Sequence, residues 1–166
     1  CRRRGRGRRF RTIRFRSMRY PLPMTDPAPL TIVVAAVIRD HAGRILLARR
    51  PAGRHMAGLW EFPGGQLQPG ESPATALERE LEEELGVSTA TGAPITFAVH
   101  QEPGMRILLL FFEAEITNGT PRPLDGQEIE WAEPADLPSY PTPPADAELL
   151  RILAITSPHL ENATDL

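Results

Sequence analysis

Between Glu71 and Glu84 the chain carries six glutamates and a single positive charge, Arg79. Read as a helix at about 100° per residue, Glu80, Glu83 and Glu84 fall within one third of the circumference, beside an apolar stripe of Ala74, Leu77, Leu81 and Leu85. Such a helix packs by its stripe and holds three carboxylates along the border. Like charges three or four positions apart repel by about a few tenths of a kcal/mol per pair, so the cluster is costly by itself. A hard divalent cation reverses the sign, because Mg²⁺ takes carboxylate oxygens and keeps coordination positions for water and substrate phosphates. A solvated acidic face is the alternative for a Glu-rich helix. The flanking glycines favour a site: Gly64 and Gly65 allow a tight bend before the helix, and Gly70 allows another.

The elements that must hold this cluster are legible on either side. Ser72 is a plausible N-cap with Pro73 at the first helical position, and Gly86 is a stop, so the helix is predicted over Pro73 to Leu85. "TIVVAAVI" from Thr31 is a continuous β-branched run, expected to be a strand buried on both faces. "HAG" at 41–43 is a turn, and "RILLARR" returns as a second strand, which predicts a hairpin. "AGLWEFPGG" gives a short strand ending at Phe62, then a break. "ITFAVHQ", "RILLLFFEAEI" and "EIEWAEP" read as strands, and Trp131 as core. "LPSYPTPPAD" is a Pro-rich loop, and "PADAELLRILAI" is a closing helix with Asp146 in its first turn or cap. The order is α+β, without repeats.

Length and charge bound the rest. At 166 residues and 18.4 kDa, the chain is most simply one domain. No run of eighteen apolar residues occurs, so no transmembrane helix and no membrane partner are expected. Cys1 is the only cysteine, which excludes an internal disulfide and a cysteine zinc site and suits a reducing, cytoplasmic location. Residues 1–23 hold ten arginines and no acid; residues 24–166 hold nine arginines against all 21 acids, a net charge of −12. An arginine run of this kind could bind a nucleic acid or membrane surface, or act as a targeting peptide. The alternative is a disordered stretch of translated upstream sequence, with "MTDPAPL" from Met24 as the natural beginning. The expected division is therefore a tail at 1–23, one domain at 24–160 and a short C-terminal tail at 161–166. The acidic domain is not expected to have a stable nucleic-acid partner.

The acidic stretch resembles the Nudix box of the Nudix hydrolases. Gly65, Glu71, Arg79-Glu80-Leu81, Glu83-Glu84 and Gly86-Val87 match its nine defined positions over 23 residues. "RRPAGRHMAGLWEFPGG" and "LPSYPTPPADAELL" are similar to the MutT branch, the 8-oxo-dGTP diphosphatases and related nucleoside-triphosphate pyrophosphohydrolases. The likeness spans roughly Leu30 to Leu153. It implies a mixed β-sheet sandwiched between helices (α/β/α), and Mg²⁺-dependent conversion of a triphosphate to the monophosphate and pyrophosphate, with Mn²⁺ as a substitute ion. In the cell that activity implies nucleotide-pool sanitation, hence mutation avoidance in DNA replication and repair.

Carried over by position, the resemblance implies metal ligation by Glu80, Glu83, Glu84 and the Gly64 carbonyl, with Glu83 or Glu84 as the general base. Arg79 would orient the glutamates and Glu71 would hold Arg79 in place. A further carboxylate is expected from "DGQEIEWAEP", with Glu128 as first choice and Asp125 as second, Glu130 being the remaining acid. Arg50 is placed to reach phosphates, His55 to face the site, and Trp60 and Phe62 to flank the nucleotide.

Base recognition departs from the branch. Where MutT types read Pro-Pro-Ala-Asn, this chain reads "PPAD", which places Asp146 there. An ionised carboxylate accepts hydrogen bonds but donates none, so it suits the N1–H and amino group of a guanine, or the amino group of cytosine. The expected substrate is 8-oxo-dGTP, with CTP or dCTP as the alternative. Pro103 raises ADP-ribose as another substrate class, and a nucleotide-sensing module without catalysis is the remaining reading.

Overall fold

Five consecutive residues near the start of the described chain, Val34 to Ile38, are all buried, and their alternation explains the architecture. The computed structural model describes residues 28–156. The first strand, β1 (Leu30–Ile38), turns Val34, Ala36 and Ile38 toward one helix, α1 (Pro73–Leu85), where they meet Ala76, Leu77, Leu81 and Leu85. Its other face, Ala35 and Val37, packs with Leu149, Leu150 and Leu153 of α2 (Pro144–Thr156). Successive strand residues point to opposite faces, so a continuous apolar run is what a strand between two helices requires. The layered α/β/α order follows from that single strand.

The remaining strands are β2 (Ile45–Arg49), β3 (Trp60–Glu61), β4 (Gly64–Gln66), β5 (Ser88–Glu102), β6 (Met105–Asn118) and β7 (Glu128–Ala132). They form a four-stranded sheet in the order β4-β1-β6-β5 and a three-stranded sheet in the order β3-β2-β7. The first is mixed, because β1 runs parallel to β6 but antiparallel to β4. The second is antiparallel. Both sheets contribute to both cores: Ile45 and Leu47 face the α2 side, and Leu46 faces the α1 side.

Local structure departs from the sequence reading at four places. The predicted hairpin of β1 and β2 is reduced to one bridge, Arg39 to Ile45, after which the strands enter different sheets. Both sides of β1 are already occupied, by β4 and β6, so β2 pairs elsewhere. The turn between them is still a tight one, with Asp40 Oδ1 accepting the Ala42 and Arg44 amides at 2.9 Å each. Gly64 and Gly65, read as a break, instead begin β4 and pair with β1. The strand around Phe97 starts earlier, at Ser88, and is kinked by register shifts between Thr91 and Thr96. The Pro-rich loop contains a short 3₁₀ helix at Pro134–Ser139.

Helix α1 has the termini its sequence encodes. Ser72 Oγ accepts the Thr75 amide at 3.2 Å, and Gly86 adopts φ 67°, ψ 32° while its N–H donates to the Glu82 carbonyl. Among the described residues no helix is long and apolar enough to cross a membrane. The expected tails at 1–23 and 161–166 lie outside the described residues.

Candidate active site

The carboxylates of α1 are organised by one arginine. Arg79 Nε and Nη2 donate to the two oxygens of Glu71 at 2.7 and 3.0 Å, Nη1 reaches Glu80 at 2.8 Å and Glu83 at 3.3 Å, and Nη2 also meets the Gln66 carbonyl. Glu71 itself sits before the helix, and its second oxygen accepts the Gln68 amide. The hydrogen bonds from Arg79, then that from Gln68, hold the Glu71 carboxyl below its ordinary range. The two hydrogen-bonded carboxylates, Glu71 first, raise the Arg79 pKa above its already high value. Glu71 does not line the cleft; it fixes the arginine that fixes the glutamates.

The two glycines that precede the helix are required by close approach. Gly64 has φ 151°, and a Cβ there would run into the backbone of Val34 and Ala35. Gly65 has ordinary backbone angles, but a Cβ on it would fall on the Glu80 carboxyl group. The glycine thus leaves a cradle in which that carboxylate lies against the main chain.

Beside this cradle is a cavity of about 460 Å³ into which Glu61, Glu80, Glu83, Glu84 and Asp125 project, with Gly64 and Gly65 on its wall. Asp125 arrives there because the end of α1 recruits its loop. The last carbonyls of a helix lack partners within it; here Glu84 O accepts Leu124 N–H at 2.9 Å and Gln127 Nε2 at 2.8 Å, and Leu85 O accepts Arg122 N–H. Gln127 Oε1 in turn accepts the Asp125 amide. Burial, then the neighbouring Glu80, pushes the Glu84 pKa up to about 7, against a hydrogen bond from the Gly64 N–H; Glu61 and Asp125 push the same way.

A second cavity of about 330 Å³ shares Arg50, Glu61, Phe62, Gly64 and Gly65 with the first. Its other walls are largely apolar, among them Val33, Ala35, Ile107 and Leu109, with Asp146, His55, His100 and Gln66 as polar groups. Asp146 is the buried polar residue of the described chain, at 3% exposure. Burial, then Glu61, raises its pKa to about 7, opposed by the Phe62 N–H and by Arg50. Glu61 is itself raised by burial and held down by Arg50, whose Nε and Nη2 meet its Oε2 at 2.7 Å.

The structure therefore gathers Arg50, Phe62, Gly64, Glu80, Glu83 and Glu84 along one wall, with His55 and Asp146 beyond it. Three expected site residues stand elsewhere. Glu128 is 69% exposed and paired with Arg49 at 3.2 Å, because the register of β7 sets it opposite Arg49 in β2; Asp125 is the acid that enters the cavity. Glu130 accepts from the Tyr140 hydroxyl. Trp60 packs edge-on against Tyr140, under Arg49, and lines neither of these cavities. Phe62 does line both, with its ring edge-on to Phe111. Trp131 lies against the α1 core. The sequence reading missed Glu61, although an acid between two aromatic residues in a strand is a signal that it is paired or functional.

The donors fit a hard cation. Five carboxylates, Glu61, Glu80, Glu83, Glu84 and Asp125, face one cavity with no thiolate or imidazole among them, a set that suits Mg²⁺, Mn²⁺ or Ca²⁺ over zinc. Among the described residues no three such groups already converge on a common point, since Arg79 holds Glu80 and Glu83 and Arg54 holds Asp125 at 3.0 Å.

The chain belongs to the Nudix family of hydrolases, which act on phosphoanhydrides: the family description "NUDIX domain" matches residues 29–153. Within the family it is MutT-like. It is 42% identical over 118 residues to the CTP pyrophosphohydrolase of Escherichia coli K12, covering 71% of this chain and 87% of that protein. It is 36% identical over 121 residues to the 8-oxo-dGTP diphosphatase of Haemophilus influenzae, covering 73% and 89%. The solution structure of the E. coli ORF135 protein superposes with a TM-score of 0.65 at 37% identity, covering 82% of this chain and 95% of that one.

Proposed function

We propose that the chain is a Mg²⁺-dependent pyrophosphohydrolase of nucleoside triphosphates, serving nucleotide-pool sanitation in the cytoplasm. The observation that carries this reading is the shared wall of the two cavities: a polar, carboxylate-rich space and an apolar one with a single buried acid meet at Arg50, Glu61, Phe62, Gly64 and Gly65. A nucleotide laid across that wall has its phosphates on the carboxylate side and its base beside Asp146. Glu80, Glu83, Glu84, Asp125 and the Gly64 carbonyl would hold the cation. When bound, it would neutralise charge on the phosphate oxygens and so make the phosphorus more open to attack.

The chain's own groups do the rest. Arg79 keeps the glutamates grouped against the helix before the cation arrives, and Gly65 lets Glu80 reach inward. A carboxylate of the α1 cluster, Glu83 or Glu84, accepts the proton of the attacking water. The water oxygen bonds to the β-phosphorus, the bond from that phosphorus to the α–β bridging oxygen breaks, and monophosphate and pyrophosphate leave. Closing Phe62 and the apolar walls around the nucleoside excludes bulk water from the base edge.

The base is read by Asp146. A neutral carboxyl group both donates and accepts, so it fits the O6 and N1–H edge of 8-oxoguanine and equally the N3 and amino edge of cytosine. We take 8-oxo-dGTP as the substrate, with CTP as the second reading, favoured by the 42% identity to the CTP pyrophosphohydrolase. The test is a nucleotide panel with Mg²⁺, assayed for pyrophosphate against orthophosphate. Release of pyrophosphate from 8-oxo-dGTP or CTP is expected, lost on chelation; orthophosphate release, or hydrolysis of ADP-ribose alone, would overturn the reading.

A further inference from the structure

Three arginines line the carboxylate cavity, Arg49, Arg50 and Arg54, and their partners differ in kind. Arg49 is held by the Gly58 carbonyl, by Glu128 and by the face of Trp60. Arg50 is held by Glu61 and by the His55 carbonyl. Both are fixed on their own side of the cavity. Arg54 instead reaches across, and among the described residues its side-chain partner is Asp125, at 3.0 Å. Both groups of that pair are at the rim, 63% and 55% exposed.

Arg54 is carried on a closed arm. Its ends are tied together by Gly58 N–H to the Arg50 carbonyl and Arg50 N–H to the Leu59 carbonyl, and its middle by the bonds Arg54 to Pro51 and Ala57 to Arg54. Met56 takes φ 57° to complete the bend. The arm is therefore set in place, while the ion pair at its tip is screened by water and easily exchanged.

We infer that Arg54 is a binding residue for the distal phosphates of the substrate, kept at the cavity mouth by Asp125 until that carboxylate turns to the cation. This rests on the proposed function, since it requires Asp125 to be one of the ligands. The exchange conserves pairing: Asp125 gives up the guanidinium for the metal, and the freed guanidinium takes two phosphate oxygens in the fork geometry that suits arginine. Arg54 lines the carboxylate cavity and not the one that holds Asp146, so with the base beside Asp146 its contact would be with the β- and γ-phosphates and not with the monophosphate product.

The exchange has a signature of two opposite signs, measured on the full chain. In Arg54→Ala, Mn²⁺ alone binds several-fold more tightly, read as free ion by electron paramagnetic resonance, because Asp125 has lost its competitor. In the same variant pyrophosphate inhibits about 10-fold less strongly, while inhibition by the nucleoside monophosphate is unchanged. Arg54→Lys keeps part of the pyrophosphate effect. Unchanged Mn²⁺ affinity together with unchanged pyrophosphate inhibition would show a plain surface ion pair and overturn the inference. Tighter Mn²⁺ binding with unchanged pyrophosphate inhibition would also overturn it, leaving Arg54 as a restraint on Asp125 only. Failure of the underlying reading shows separately, as absence of nucleotide hydrolysis by the unsubstituted chain.

Discussion

Glu84 and Asp146 are both pushed to a pKa of about 7, burial being the first cause of each, yet they face different cavities and different chemistry. For Glu84 the neighbouring charges are carboxylates, and a cation relieves them. Replacement by Gln removes a proposed ligand and a candidate base, so Glu84→Gln is expected to lower kcat on the order of 10²-fold or more, with thermal stability of the metal-free protein kept or raised. Steady-state kinetics beside a melting curve tests both halves. For Asp146 the Phe62 N–H and Arg50 do not outweigh burial, and the group stays protonated in the folded chain to about pH 7 while the unfolded chain releases its proton near the ordinary 3.8. The unfolded state therefore binds fewer protons between these values, and stability falls as pH rises from about 4 to 7, then levels off. Asp146→Asn should remove that part of the slope, on the order of a few kcal/mol across the window, as seen in urea midpoints of both proteins from pH 4 to 8. Parallel curves would mean that Asp146 is ionised in the fold. The same titration bears on base choice: the ionised acid keeps only the amino contact of cytosine and has no proton for its N3, whereas guanine offers it two donors, so CTP should lose ground to 8-oxo-dGTP above pH 7.

At the scale of elements, the turn from β4 into α1 carries two kinds of residue that a substitution separates. Ser72 caps the helix and lines neither of the two cavities; Ser72→Ala is expected to cost about 1 kcal/mol of stability and to leave kcat unchanged. Gly65 has no unusual backbone angle, and only the Glu80 carboxyl forbids a side chain there. Gly65→Ala should therefore spare most of the stability and lower kcat on the order of 10- to 100-fold, by displacing one carboxylate. A variant that melts early but turns over normally would show that the cradle is packing alone.

For the whole molecule, every residue assigned to the site lies between Arg49 and Asp146, within residues 24–166 and their net charge of −12. Removal of residues 1–23 is expected to change hydrolysis of free nucleotides by no more than about two-fold, and to abolish any salt-sensitive polynucleotide binding by the long form. The two assays separate the activities, since a folded but inactive short form would assign the arginines to the substrate. The acidic domain also means that triphosphates approach against the overall field.

Helix α1, with both caps and with Glu80, Glu83 and Glu84 grouped beside its apolar stripe, was readable in advance because each signal is local: a serine before a proline, a glycine after the last leucine, apolar residues at helical spacing. The identity of β1 as a doubly buried strand was readable for the same reason, and those two elements suffice for the layer order. Tertiary structure decided what depends on pairing. Nothing local distinguishes Asp125, Glu128 and Glu130; the register of β7 against β2 sends Glu128 to Arg49, and the capping of α1 by residues 122–127 brings Asp125 inward. Likewise, β1 and β2 look like a hairpin in sequence, and only competition from β4 and β6 for both sides of β1 parts them. The raised pKa values of Glu61 and Asp146 arise because distant segments are buried against each other. Desolvation and charge proximity are properties of a packed interior, and no spacing along the chain encodes them.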